Sequence, residues 1–182
     1  MDSDGQHEPG GTWTFTGRDE QLARCRQGLA ERAGVLIIGG PGTGRTRLAH
    51  EVIARAGDGP WHRLTGADGL QAVAFGAWAH LLPDVGGIRL DDATGWRALA
   101  DHLRAPDGAI HLLVDDAHWL DTGSAALLHH LVATRKAVAV VTARIDAPKP
   151  QALTALWKDG HVLRGDLEPL SPEAVGTILE AA

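Results

Sequence analysis

Val35-Leu36-Ile37-Ile38-Gly39-Gly40-Pro41-Gly42-Thr43-Gly44-Arg45-Thr46 is the stretch that decides the fold: a strand-sized apolar run, then a glycine-rich turn, then a polar pair that opens a helix-like segment extending to Ala56. Its last eight residues follow the phosphate-loop pattern G-x-x-x-x-G-K-[ST] at every position but one, where Arg45 replaces lysine. The glycines matter physically. Without a Cβ they let successive backbone N–H groups turn inward toward a polyphosphate, and the positive end of the following helix points at the same charge. The candidate nucleotide-binding residues are therefore Gly39, Gly40, Pro41, Gly42, Thr43, Gly44, Arg45 and Thr46, with Arg47 counted beside them. Thr46 is placed to offer its hydroxyl to Mg2+.

A second element narrows the reading. Ile110-His111-Leu112-Leu113-Val114 ends in Asp115-Asp116, the pattern of a buried parallel strand that delivers two carboxylates at its C-terminal edge. This is a Walker B arrangement. In an open α/β sheet the ligand lies outside the carboxyl ends of the strands, so a loop after one strand and acids after another converge. Asp115 is the candidate magnesium ligand, acting through water, and Asp116 the candidate for polarising an attacking water. Taken alone, an aspartate pair after a strand is more often a turn or a helix cap. It is the combination with the loop that points to a nucleoside triphosphate.

Length and composition bound the rest. A chain of 182 residues, 44% hydrophobic, buries one core and is too short for two ordinary domains. A net charge of −6 argues against this chain itself gripping DNA or an anionic membrane surface. Cys25 is the only cysteine, which rules out an internal disulfide and suits a reducing, cytoplasmic setting. The apolar runs are strand-sized, and the acidic start Met1-Asp2-Ser3-Asp4-Gly5 has no secretion pattern.

Along the chain, residues 1–14 are rich in Gly, Asp and Pro and are expected to be a disordered leader. Residues 15–182 are expected to form a single core. An amphipathic helix is predicted over Asp19–Ala33, closed by Gly34 as a C-cap. Strands are predicted at Trp61–Thr65, Val138–Thr142 and His161–Leu167, the second apolar throughout and ending in Ala143-Arg144. Helices are predicted at Phe75–Leu82, stopped by Pro83, at Thr94–Leu103, at Ser124–Thr134 with an N-cap in Asp121-Thr122-Gly123-Ser124, and from Ser171 to the end. The alternation implies an α/β fold of three layers, with a mostly parallel, doubly wound sheet.

Four segments carry a family resemblance: Phe15-Thr16-Gly17-Arg18-Asp19-Glu20, the phosphate loop, Phe75-Gly76-Ala77-Trp78-Ala79-His80-Leu81-Leu82-Pro83, and Leu113-Val114-Asp115-Asp116-Ala117-His118-Trp119-Leu120-Asp121. In this order and spacing they resemble the ATPase module of the large ATP-binding LuxR-type transcriptional regulators, which belong to the STAND group of AAA-like P-loop NTPases. The resemblance implies a P-loop NTPase core that binds ATP with Mg2+ and acts as a switch ahead of downstream regulatory domains. It also implies that Arg18 lies near the nucleotide and that Arg144 stands where a γ-phosphate sensor follows a strand. A surface arginine in that place fits equally well. His118 and Trp119 read as packing and loop-orienting residues, and His111, His129 and His130 as structural, with no metal-ligand spacing to cysteines or acids.

Two departures qualify the resemblance. Arg45 keeps the charge and can fork two phosphate oxygens, but it is longer and planar and cannot place a compact ammonium between the β- and γ-phosphates, so binding is expected to survive better than hydrolysis. The sequence also ends at Ala182, where a helical lid would begin, so the lid is expected to be truncated and the DNA-binding output absent. A nucleotide-independent scaffold for protein contacts is the alternative function. A metabolite kinase is a weaker third, since no acceptor site is marked.

Overall fold

The computed structural model describes residues 15–57, 59–82, 90, 93–104 and 108–180, so the expected leader and Pro83 lie outside the described residues. The β-strands are β1 (Gly34–Gly39), β2 (Trp61–Thr65), β3 (Ile110–Asp115), β4 (Ala137–Arg144) and β5 (Leu163–Leu167). The α-helices are α1 (Asp19–Glu31), α2 (Arg45–Ala54), α3 (Ala93–Leu103), α4 (Thr122–Ala133), α5 (Gln151–Lys158) and α6 (Pro172–Glu180). The strands form one sheet in the order β2-β3-β4-β1-β5, and every pairing is parallel.

Alternation along the central strands sorts their side chains into two cores, as a sheet covered on both faces requires. Val35 and Ile37 of β1 join Leu113 and Val140 under α1 and α2, where Leu22, Cys25, Leu48, Ala49 and Val52 close the layer. Leu36 and Ile38 join Leu112, Val114, Ala139 and Val141 on the other face, covered by Leu99, Leu127, Leu128, Leu131, Leu153 and Leu156 of α3, α4 and α5. This is the three-layer, doubly wound arrangement. Cys25 is part of the first core, and burial pushes its thiol up to about 11, so it packs as an apolar residue.

Several boundaries move for identifiable reasons. Helix α1 ends at Glu31, and Gly34 opens β1 instead of capping the helix. Its φ is 145°, and a Cβ there would lie 2.0 Å from the Ala139 carbonyl oxygen, so the close approach of β4 is what requires glycine. The segment predicted as a helix over Phe75–Leu82 is a 3-10 helix, Gly76–Leu81, entered through Phe75 at φ 56°. Strand β5 begins at Leu163, two residues later than expected, and β4 extends at both ends, so Arg144 is its last residue. Helix α4 begins at Thr122 because Asp121 is the N-cap: its carboxylate accepts from Ser124 N–H at 2.9 Å and from the Ser124 hydroxyl.

Gly34→Ala is expected to destabilise the fold by about 3 kcal/mol or more, since it adds a backbone collision to an unfavourable φ. Urea denaturation measures this. A change within about 0.5 kcal/mol would contradict the β1–β4 geometry.

Candidate functional site

The register of the sheet brings the predicted residues to one edge. Gly39 is level with Arg144, and Val114 with Val141, so Asp115 emerges beside Thr142 of β4, the strand that separates the phosphate loop from the acids. The turn after β1 takes left-handed backbone at Gly42 (φ 74°) and Gly44 (φ 88°), where a side chain would be strained. Thr43 ties it internally, its hydroxyl donating to the Gly40 carbonyl at 2.9 Å. Helix α2 starts directly after Gly44, and the N–H groups of its first turn have no partner within the helix, so the loop's concave side faces the positive helix end.

Across the gap stands Asp115, buried, with 6% of its surface exposed. Its Oδ1 accepts hydrogen bonds from the Thr46 hydroxyl at 3.0 Å and the Thr142 hydroxyl at 2.6 Å. Its Oδ2 lies 3.5 Å from the Arg63 guanidinium on β2. Thr142 in turn accepts from the Asp116 N–H at 2.9 Å. Thr46 and Asp115 therefore present hard oxygen donors side by side, the set that suits Mg2+.

Asp116 is the neighbouring residue but points elsewhere. Its backbone is left-handed (φ 49°, ψ 45°), which turns a half-exposed carboxylate toward the loop. There Arg45 Nη2 meets Oδ1 at 3.3 Å. The other arm of Arg45 donates to the Gly39 carbonyl at 2.7 Å and also to the Gly40 carbonyl. Its Nε is buried with no hydrogen-bond partner. Arg45 is thus folded back onto the loop that it follows and bridged to the second acid.

The remaining predicted residues divide. Arg18 is 7% exposed and braces the loop from behind, donating to the Thr43 carbonyl at 3.2 Å and the Glu168 carbonyl at 2.5 Å. Arg47 points along α2 to Glu51 at 2.7 Å. Arg18 and Arg47 both line a cleft of about 340 Å³ beside the loop, closed by Phe15, Leu170 and Ile178. Arg144 is half-exposed and forms a two-pronged pair with Asp146, at 3.0 and 2.7 Å, which holds its guanidinium more firmly protonated than usual. Its side chain does not reach the phosphate loop by any of these contacts.

Sequence reading missed Thr142 and Arg63. Thr142 was hidden in a run expected to be apolar throughout, although a lone hydroxyl at the edge of a buried strand was the available signal. Arg63 carried none. His118 is 2% exposed, 3.8 Å from Asp116, and its Nδ1 accepts from the Arg144 N–H at 3.4 Å. An accepting Nδ1 belongs to the neutral ring. Burial pushes the His118 pKa down, outweighing the Asp116 carboxylate that pulls it up, and the nearby Arg45, Arg144 and Lys149 act in the same direction as burial.

No protein-family model matches the chain, and no curated protein sequence matches it. Solved structures do. The RuvB Holliday junction branch migration motor of Thermotoga maritima superposes with a TM-score of 0.56 at 16% identity, covering 92% of this chain and 50% of that one. A STAND protein of Pyrococcus horikoshii with a tetratricopeptide repeat sensor gives 0.54 at 21% identity, covering 93% of this chain and 25% of that one. The chain thus spans about half and a quarter of those two lengths. Both are P-loop NTPases, and the fold here is theirs.

The depressed His118 pKa makes stability depend on pH with a definite sign. Above the unfolded value, about 6.5, both states are neutral. As pH falls below it, the unfolded chain takes up a proton that the native site refuses, so stability present at neutral pH is lost progressively toward the folded pKa. The drop in thermal midpoint between about pH 7.5 and pH 5.5 is expected to shrink in His118→Asn. An unchanged drop would contradict this.

Proposed function

We propose that the chain is an ATP-binding switch module of the kind found in LuxR-type transcriptional regulators, in which nucleotide state is passed to other domains and hydrolysis is slow or absent. The observation that carries the reading is the 3.0 Å approach of the Thr46 hydroxyl to the Asp115 carboxylate, which joins the phosphate loop and the acidic strand end in one oxygen-rich corner. Around that corner lie Arg18 and four arginines paired with acids, Arg45 with Asp116, Arg47 with Glu51, Arg63 with Asp115 and Arg144 with Asp146, guanidiniums for which phosphate oxygens are alternative partners. A triphosphate is the ligand that such an edge favours.

Each residue has a role in this reading. The turn from Gly39 to Thr46 supplies backbone donors to the β- and γ-phosphates. Thr46 and Asp115 would hold Mg2+, which supplies charge neutralisation at the phosphates when bound. The cleft lined by Phe15, Thr16, Arg18 and Leu170 adjoins the loop and has the volume and apolar walls to take the base, with adenine as the base inferred from the resemblance. Asp116 is the group for orienting water, but in its present pairing the carboxylate is engaged by Arg45. Arg144 would act as the phosphate sensor by exchanging Asp146 for a γ-phosphate oxygen.

Arg45 explains why binding and turnover should separate. Its guanidinium is held by two loop carbonyls and by Asp116, so contact with phosphate requires it to leave partners that a lysine ammonium would not bridge in the same way. The same observation favours the second reading, a scaffold whose loop survives as structure, because Arg45 and two loop carbonyls are already paired without ligand.

Titration calorimetry with Mg·ATP separates the two. The switch predicts saturable binding, weakened about 10-fold or more in Thr46→Ala and in Asp115→Ala. No binding at millimolar ATP would overturn the switch and favour the scaffold reading. Turnover is expected to rise in Arg45→Lys by about 10-fold or more. A wild-type rate already typical of an active ATPase, and unchanged in that variant, would remove the role given to Arg45.

A further inference from the structure

The opposite edge of the sheet, where the strands begin, carries a separate cluster of metal-binding side chains. His129 lies near the end of α4, and Asp159 and His161 flank Gly160 in the turn from α5 to β5. One ligand atom from each of the three lies within 4.8 Å of the other two. The rings of His129 and His161 meet edge to face with centroids 5.6 Å apart. His129 Nε2 is buried with no hydrogen-bond partner.

The turn that presents two of these groups is pinned. Asp159 N–H donates to the Ala155 carbonyl and His161 N–H to the Leu156 carbonyl, both at 2.9 Å, while Gly160 takes left-handed backbone at φ 74°. Arg32, in the connection ahead of β1, donates to the Gly160 carbonyl at 2.5 Å. The third group stands on a helix that packs against α5. Three donors are thus held on two rigid elements with only side-chain torsions left to adjust.

We propose that His129, Asp159 and His161 form a site for a divalent transition cation, with Zn2+ the best match. Two imidazoles and one carboxylate are a borderline donor set that zinc accepts in tetrahedral geometry, with water as the fourth ligand, whereas Mg2+ and Ca2+ favour oxygen ligands. Ligands about 2.0–2.1 Å from a tetrahedral zinc stand about 3.3 Å apart, so the three side chains need to close by at most about 1.5 Å on binding. Asp159 is exposed and gives the ion its path from solvent, while the two histidines are half-buried. The bound ion ties the end of α4 to the α5–β5 turn. Because it binds the native arrangement and not the unfolded chain, it raises thermal stability. The site is independent of the phosphate loop.

The test uses untagged protein, stripped of metal with a chelator and free of nucleotide. Zinc titration is expected to give one Zn2+ per chain in the micromolar range, with a rise in thermal midpoint, and Co2+ is expected to give the visible absorption of a tetrahedral site. His129→Ala and His161→Ala should each weaken zinc binding about 10-fold or more and abolish the thermal shift, while Thr46→Ala leaves both unchanged. Circular dichroism of the metal-free variants checks their fold, and Asp159→Ala, at an exposed side chain, gives the same answer should a histidine variant fail to fold. Absence of binding at about 100 μM zinc overturns the proposal. So does affinity that persists in the variants, which would mean adventitious binding by other histidines.

Discussion

The Asp115 carboxylate is the point on which the site depends. It is buried at the end of β3 and accepts hydrogen bonds from the hydroxyls of Thr46, which belongs to the phosphate loop, and of Thr142, which belongs to the intervening strand. A buried carboxylate without such partners would be costly, and these two bonds meet that need while fixing the distance between the loop and the acidic strand end. Parallel pairing makes this possible, since all five strands deliver their C-terminal ends to the same side. The glycine that opens β1 and the leucine-rich faces under the helices exist to hold that register.

Arg45 is the second constraint, and it works against the first. The loop and Asp115 assemble a corner of oxygen donors and backbone N–H groups, yet the guanidinium beside them is already partnered by loop carbonyls and by Asp116. Asp116 sits in a left-handed conformation that a non-glycine residue rarely adopts, and its reward there is the contact with Arg45 and proximity to His118. The two acids, adjacent in sequence, therefore have different environments: Asp115 is buried between two hydroxyls and the Arg63 guanidinium, whereas Asp116 is half-exposed and faces Arg45.

Much of this architecture was legible in sequence because it rests on local chemistry. The β1 run and the glycine turn form a pattern with a physical reason for each position, and the β3 run ending in two aspartates takes its meaning from standing beside it. Strand β2 has the bounds expected of it, Trp61–Thr65. What sequence did not reveal are the contacts that cross between elements. Thr142 looked like one more residue of an apolar strand, and only the register of β4 against β3 shows its hydroxyl reaching Asp115. Gly34 looked like a helix stop, although the carbonyl of Ala139 is what excludes a side chain there. His129 and His161, thirty-two positions apart, gave no ligand spacing, because the turn at Gly160 brings them together in space alone.

The central claim is that the turn after β1 and the acids after β3 share one phosphate-binding corner. Amide chemical-shift mapping of the isotope-labelled chain with Mg·ATP tests it most directly. The account predicts saturable shifts confined to Gly39 through Thr46, Asp115, Asp116 and their neighbours at that edge of the sheet. Shifts centred on another surface, or none at millimolar nucleotide, would contradict it.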